Sequence, residues 1–438
     1  MYSIIGEVYL VIGVSIILLI GSISEEKRGE IERLIKKILI IAGIIILIEK
    51  GEVEIIEGKV GVNGIIKLGK AVVLVLGGIM LIGERRKEEY EYGVIMVLGL
   101  IGTLVMISGE EMMTVYIGVE IQSLAMYVLV GYRGKSSYAV EGSVKYLIIG
   151  ALGSGMIIMS MSIIYGELGT IRLEEIGRLL EVGEGKIERI GVMLMIGGIL
   201  FKLSVVPFHG YYVDVIEGGM KRTGKIISVI PKIGAVCIML RVIWLTAGEL
   251  REDIRIVVIG CGIMSIGVGV IGSNYQRKIR RFIGYSSISH IGYMMIGGER
   301  IVEYLMMYSI LSIGIWMIIE REDKEYIESI GERLKKSRFI GGAIVIIMLG
   351  MAGIPPVLGG FMVKVGVISE VVKVGEVIAI IAMIGAIIGS YNYVRWLKSM
   401  YSGREKERVG VEEVREYSRE ESIIIGIIVL YVSSYSII

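Results

Sequence analysis

Long apolar runs separated by short charged segments make up most of this chain. A helix needs about 20 apolar residues to cross a bilayer's hydrocarbon core, and fourteen runs reach or approach that length. They lie near 3–21, 37–48, 64–83, 93–108, 112–131, 144–165, 190–208, 224–246, 255–273, 280–298, 302–319, 339–363, 374–399 and 421–438. Lipid offers backbone groups no water to bond, so spanning segments of this length must be helices. The pattern predicts an all-α polytopic membrane protein with about fourteen transmembrane helices.

The charge of the connecting segments predicts their side of the membrane. Segments 24–37, 84–92, 274–281, 320–338 and 398–421 hold more Lys and Arg than the alternate connections. Lys and Arg accumulate on the cytoplasmic side, or on the matrix side in mitochondria. With an even number of spans, both termini are then expected on the opposite side.

Composition narrows the picture further. Of the 438 residues, 54% are hydrophobic, and a net charge of +2 indicates no bulk attraction to nucleic acid. Cys237 and Cys261 lie in apolar runs and are interpreted as inert buried thiols. The chain has 62 Gly but only 4 Pro and 2 His, and residues with C-rich codons are scarce. This indicates a strand-biased genome, which favours an organellar origin, and it makes each retained Pro or His informative.

Ionisable residues inside the apolar runs are the candidate functional residues. A charge near the centre of a bilayer costs about 3 kcal/mol or more on insertion scales, so such residues are rarely accidental. The candidates singled out are Glu120, Lys145, Lys202, Lys232, Arg241 and His290 within runs, Glu141 just before the sixth run, and His209 and Lys364 just past the seventh and twelfth. Glu141 and Lys145 are four residues apart and share one helix face.

The four prolines accompany the intramembrane lysines. Pro207 follows Lys202, Pro231 precedes Lys232, and the pair Pro355 and Pro356 precedes Lys364. A proline removes a helical hydrogen bond, and transporters place ion sites where helices are interrupted. Helix breaks are therefore predicted at Pro207 and at Pro355 and Pro356, in the seventh and twelfth spans.

The spacing of these two breaks predicts an internal repeat. Spans 4–8, at 93–246, and spans 9–13, at 255–399, form two five-helix units. An odd number of spans per unit makes the second inverted relative to the first. Helices 1–3 occupy 1–92 and a last helix occupies 421–438, all within one membrane domain, 1–438.

Six motifs in order resemble a known family. VEIQSLAMYVLVGY, EGSVKYLIIGALGSG, FKLSVVPFH followed by DVIEG, IPKIG, YSSISHIGYMMIG and MAGIPPVLGGFMVK resemble antiporter-like subunit 2 of respiratory complex I, called subunit N in bacteria. The resemblance implies a proton-translocating membrane subunit of NADH:quinone oxidoreductase. Glu120, Lys202, Lys232 and Lys364 match the family's proton path, with His209, His290, Glu141, Lys145 and Arg241 as secondary candidates.

The resemblance also implies partners and location. NADH, FMN, iron–sulfur clusters and quinone are expected on other subunits, so no cofactor or metal is expected in this chain, although structural lipids are. The expected partners are other membrane-arm subunits, including further antiporter-like ones, and no nucleic acid. Composition favours the mitochondrial inner membrane, with the bacterial plasma membrane as the alternative.

Two other functions stay open, and two segments depart from the family pattern. The chain could be a subunit of a cation/proton antiporter, or a structural membrane-arm subunit without its own proton path. The departures are GYYVD at 210–214 and GGMKRTG at 218–224, which predict a locally altered loop.

Overall fold

The structure is a computed structural model that describes most of the chain. The described residues are 5–23, 28–48, 55–56, 59–60, 62–82, 90–132, 136–182, 186–246, 248–321, 337–402 and 417–435. The predicted charged segments at 24–37, 84–92, 320–338 and 398–421 lie partly outside them.

Helices dominate the described residues, which contain eighteen α-helices. They are α1 (Ile5–Ile23), α2 (Arg28–Ile48), α3 (Val62–Met80), α4 (Tyr90–Ser108), α5 (Met112–Gly131), α6 (Ser137–Leu168), α7 (Leu173–Val182), α8 (Lys186–Lys202), α9 (Tyr212–Gly218), α10 (Lys221–Ile227), α11 (Ile230–Leu245), α12 (Gly248–Asn274), α13 (Ile279–Ile296), α14 (Ile301–Glu320), α15 (Arg338–Ala352), α16 (Leu358–Val374), α17 (Glu376–Ser402) and α18 (Arg419–Ser434). Two short antiparallel strands, β1 (Ile55–Ile56) and β2 (Lys59–Val60), precede α3.

Many of these helices are suited to a membrane. Among the described residues, seven are long and apolar enough to cross one: Glu91–Ser108, Met112–Gly131, Ser137–Leu168, Lys221–Leu245, Leu250–Asn274, Gly298–Glu320 and Glu376–Tyr401. Shorter apolar helices occur at Val8–Ile17 and Arg338–Ala352. Large apolar side chains such as Ile148 and Leu152 on α6 stay exposed, as lipid-facing residues do. The prediction of an all-α polytopic membrane protein is confirmed.

The chain divides into two compact units. The first contains Met1–Leu203 and Gly218–Ile256, and the second contains Ser204–Glu217 and Val257–Ile438. The second half of the seventh span, α9, is thus a part of the second unit. In each five-helix run the fourth span is interrupted, the seventh after α8 and the twelfth between α15 and α16, as the prolines predict.

The break in the twelfth span is shaped by glycines. α15 ends at Ala352 and is capped by Gly353, whose φ of 70° lies in the left-handed region that favours glycine. A Cβ on Gly360 would lie 1.8 Å from the carbonyl oxygen of Gly350, so α15 and α16 touch through their backbones. The predicted boundary at 363 is wrong, because the second half-helix continues to Val374.

Glycines also set close packing in the first unit. A Cβ on Gly118 would lie 2.4 Å from the Met106 backbone nitrogen, which places α5 against α4. A Cβ on Gly198 would lie 2.9 Å from the Gly153 carbonyl oxygen, which places α8 against α6. Small residues permit this approach in membranes. The GALGSG pattern at 150–155 is thus a packing surface.

The GGMKRTG segment is helical except at Gly219 and Met220, which connect α9 to α10, and the altered loop stays a prediction. Met220 precedes α10, which begins at Lys221. The Thr223 hydroxyl donates to the Leu129 carbonyl oxygen at 3.1 Å and bonds the Tyr92 hydroxyl at 3.1 Å. These bonds hold the start of the eighth span against α4 and α5.

A buried ion pair anchors the last helix. Arg321, just after α14, donates to both carboxylate oxygens of Glu421 on α18, at 3.1 and 2.7 Å. The same carboxylate accepts from the Ser418 backbone nitrogen in a capping box. Only 10% of the Arg321 side chain and 3% of the Glu421 side chain are exposed.

Replacing Arg321 by Met should destabilise the protein strongly. It leaves a buried carboxylate unpaired, which costs about 3–5 kcal/mol. We expect a lower thermal unfolding midpoint for protein extracted in mild detergent, partly restored by adding Glu421→Gln. Arg255→Met is the control, because Arg255 pairs with Glu252 on the surface and such pairs contribute about 0–1 kcal/mol. An unchanged midpoint for Arg321→Met would contradict the anchoring role.

Candidate functional site

In the first unit, a serine hydroxyl bridges Glu120 and Lys202. The Lys202 Nζ donates to the Ser154 Oγ at 3.0 Å, and that hydroxyl in turn donates to the Glu120 carboxylate. Lys202 also donates to the Ser123 Oγ at 3.0 Å and lies 3.5 Å from the Gly150 carbonyl oxygen. The acid and the base are therefore linked through one exchangeable hydroxyl.

Three helices bring this cluster together. Glu120 and Ser123 lie three residues apart on one face of α5, Ser154 lies on α6, and Lys202 is the last residue of α8. The close packing of α6 on α8 at Gly153 and Gly198 sets the reach of the lysine. Glu120 and Lys202 are partly buried, whereas the two serines are buried.

Two further buried cations lie on α11 in the same unit. Lys232 is only 1% exposed and follows Pro231 in the first turn of α11. α10 and α11 together form the eighth span, which begins at Lys221 and not at the predicted residue 224. Lys232 therefore lies further from the start of its span than the sequence predicts. The Arg241 guanidinium donates to the Ile107 carbonyl oxygen at 2.8 Å, at the end of α4, so this predicted site residue caps a helix.

In the second unit, Lys364 binds backbone carbonyl oxygens at the break in the twelfth span. It lies in the second turn of α16, and its Nζ donates to the carbonyl oxygens of Met351 and Ala352 at 2.9 and 2.8 Å. These are the last two residues of α15. An ammonium group at a helix C-terminus is favoured by the free carbonyls and the negative end of the helix dipole.

Lys364 and His290 line the same small cavity, together with Tyr304 and Tyr308. The His290 Nδ1 lies 2.9 Å from the Tyr304 hydroxyl, and its Nε2 lies 3.1 Å from the Tyr393 hydroxyl. With a hydroxyl on each ring nitrogen, His290 is placed to accept a proton on one side and to release one on the other.

The remaining predicted residues are placed differently. His209 lies in the seventh-span break, half-buried, and its Nδ1 has no hydrogen-bond partner among the described residues. Glu141 and Lys145 form an ion pair at 2.7 Å on the surface of α6, 58% and 40% exposed. They pair as their spacing predicts, on a surface of the first unit.

Reasoning from the sequence missed the hydroxyl groups of both clusters. Ser123 had a usable signal, since it lies three residues from Glu120. Ser154, Tyr304 and Tyr393 had none, because each meets its partner across 14 or more residues of sequence.

Comparison with known proteins decides the family. Residues 109–389, more than half of the chain, match the family described as NADH:quinone oxidoreductase/Mrp antiporter, TM. This chain belongs to that family. It is 31% identical to NADH-quinone oxidoreductase subunit N 1 of Rhizobium meliloti, over 99% of this chain and 94% of the relative. It is 32% identical to subunit N of Rhodospirillum rubrum, over 76% and 72%.

Solved structures share the fold. A chain of respiratory complex I from Thermus thermophilus matches with a TM-score of 0.82 at 20% identity, over 98% of this chain and 97% of the other. A chain of the membrane-bound sulfane sulfur reductase, an archaeal respiratory membrane complex, matches with a TM-score of 0.84 at 16% identity, over 99% and 94%.

Removing the bridging hydroxyl should impair this site. In Ser154→Ala, Glu120 loses a donor and Lys202 loses an acceptor. Hydrogen bonds to charged groups contribute about 1.5–3 kcal/mol, so we expect coupled proton transport in membrane vesicles to fall about tenfold or more. Ser154→Thr should retain most of it. The control is Ser108→Ala, whose hydroxyl bonds, among the described residues, its own helix at the Leu104 carbonyl oxygen. Full transport by Ser154→Ala would show that the bridge is dispensable.

Proposed function

We propose that this protein is the antiporter-like, proton-translocating membrane subunit of an NADH-quinone oxidoreductase. Its family membership and the relatives named subunit N support this assignment. The observation that carries it is the placement of Lys202 and Lys364. Each lysine is held at an interrupted helix by groups that suit an ammonium ion, in a protein built to cross a membrane.

Lys202 serves as the loading site of the proposed path. Glu120 favours its protonated form through the Ser154 hydroxyl, and a change in the charge of Glu120 releases the proton. Since an uncompensated charge in the membrane is costly, the lysine responds strongly to this change. Lys232, buried in the same unit, relays the proton.

Lys364 serves as the second station of the path. The Met351 and Ala352 carbonyl oxygens stabilise its ammonium form, while the cavity places His290 where it can exchange protons with the lysine. Carbonyls accept hydrogen bonds but carry no exchangeable proton, so transfer from Lys364 proceeds through the cavity. His209, Glu141, Lys145 and Arg241 are secondary members of the path in this proposal.

The proposal also covers cofactors, partners and location. The chain carries no redox group; NADH, FMN, iron–sulfur clusters and quinone bind to other subunits, and structural lipids contact this one. Its neighbours are other membrane-arm subunits. The relatives named above are bacterial, so we propose the bacterial plasma membrane instead of the mitochondrial inner membrane that composition favours. Both termini face away from the cytoplasm.

A cation/proton antiporter subunit is the second candidate. The family description names Mrp antiporters beside NADH:quinone oxidoreductase. Relatives at about 30% identity carry the oxidoreductase name, which favours the first candidate. Purification of the native complex separates the two, because only the first predicts NADH oxidation that copurifies with this chain.

Replacing Lys202 or Lys364, the lysines at the two helix breaks, should lower proton transport by the complex. We expect Lys202→Met and Lys364→Met to assemble but to lower NADH-driven proton transport in vesicles by about tenfold or more, since an essential proton carrier is lost. Lys373→Met is the matched control: it lies on α16 with Lys364 but is 70% exposed and pairs with Glu370.

The same variants test the structural alternative. A subunit without its own path would lose assembly in Lys364→Met, because the α15 carbonyls lose their ligand, while any assembled complex would pump normally. Normal proton transport by assembled Lys202→Met and Lys364→Met complexes would refute the proposed function.

A further inference from the structure

A series of three hydroxyl groups begins at the Lys364–His290 cavity. The Tyr308 hydroxyl lies 2.7 Å from the Ser287 Oγ, which lies 3.1 Å from the Tyr212 hydroxyl. Tyr308 lines the cavity, and its ring centroid lies 5.3 Å from that of His290. The series therefore runs from the cavity to α9, the second half of the broken seventh span.

Each of these groups is buried deeply. Tyr212 is 2% exposed, Ser287 1% and Tyr308 3%. Buried hydroxyls are costly unless they are hydrogen-bonded, and these bond one another across three helices: α9, α13 and α14. Apolar side chains would fill the same space without that requirement, so the polar series calls for a reason other than packing.

A second set of contacts also holds α9 in place. At the other end of α9, Glu217 binds Lys278 at 2.7 Å and Arg281 at 2.5 Å. Asp214 on the same helix lies 3.5 Å from Arg281. These charge-assisted bonds tie α9 to the start of α13, so loss of the hydroxyl bonds alone would leave α9 attached.

We propose that Tyr308, Ser287 and Tyr212 form a hydroxyl relay, a branch of the proton path between the Lys364–His290 cavity and the seventh-span break. This inference rests on the proposed function. A hydroxyl both donates and accepts a hydrogen bond, so the relay has no fixed direction.

One proton enters the relay and one leaves it in each transfer. Tyr308 accepts a proton from water in the cavity and passes its own to the Ser287 oxygen. Ser287 passes its proton to Tyr212 on α9, which in this proposal releases its own to water beside the start of that helix. Every oxygen ends with the proton count that it began with, and the next transfer requires only that the hydroxyls rotate back.

The relay makes α13 a shared element of two proton routes. His290 lies three residues after Ser287, one turn further along the same helix. A proton in the cavity thus has two acceptors, the His290 ring and the Tyr308 hydroxyl. Sequence alone gave no reason to connect Ser287 with Tyr212, 75 residues away.

Conservative variants test the relay in the intact complex. We expect Ser287→Ala, Tyr308→Phe and Tyr212→Phe to assemble at normal levels, since the rings and the Glu217 ion pairs remain. NADH-driven proton transport in vesicles should fall about tenfold, and Ser287→Thr, which keeps the hydroxyl, should recover most of it. Recovery by Thr separates proton transfer from packing.

Matched controls come from the same unit. Ser309→Ala removes a fully buried hydroxyl that, within the part of the chain that the structure describes, bonds the Leu305 carbonyl oxygen of its own helix. Tyr417→Phe removes a hydroxyl that donates to the Ile318 carbonyl oxygen. Both controls should transport protons normally.

Lys364→Met, measured in parallel, separates the relay from the proposed function. If Lys364→Met fails to pump while the three relay variants pump normally, the relay is overturned and the proposed function stands. If Lys364→Met pumps normally, the proposed function fails, and the relay with it. If proton transport falls as far in Ser287→Thr as in Ser287→Ala, the relay is also overturned. The retained threonine hydroxyl would then not support proton transfer.

Discussion

The backbone carbonyls freed at a broken helix are the constraint on which this architecture depends. In hydrocarbon, a carbonyl without its helical partner finds no water, and a lysine finds no solvation for its charge. At the twelfth-span break each satisfies the other, since the Lys364 ammonium binds the last two carbonyls of α15. The Gly353 turn and the backbone contact at Gly360 bring the two half-helices within reach. A proline pair and a lysine would each destabilise a membrane span alone, but together they form one stable arrangement at this break.

The first unit satisfies its lysine with a different chemistry. Lys202 ends α8, and its ammonium binds the hydroxyls of Ser123 and Ser154. Carbonyls only accept, so they fix a charge in place. Hydroxyls also donate, so the Ser154 bridge transmits a change at Glu120 to the lysine. The two lysines resemble each other in sequence but differ in what their surroundings allow.

The second unit is organised around α13. Near the start of this helix, Lys278 and Arg281 hold α9 through Glu217. One to three turns further on, Ser287 and His290 meet tyrosines from α9, α14 and α17. One helix thus combines a rigid ionic attachment with exchangeable hydroxyl and imidazole groups. The hydroxyl and imidazole donors and acceptors lie about 3 Å apart, the distance that proton transfer requires.

Hydropathy, proline and charge predict the membrane spans, the two broken spans and the lysines beside them from the sequence. Each of these signals is local, because an apolar run, a proline or a charge within it is visible without knowledge of the fold. The groups that surround the lysines depend on tertiary packing. Ser154 joins Glu120 across 34 residues, and Tyr393 joins His290 across 103. It also placed Thr223 of the GGMKRTG segment against α4 and α5. A serine or tyrosine in an apolar run costs too little free energy to be noticed in the sequence. The role of its hydroxyl depends on the hydrogen-bond partner that folding places beside it.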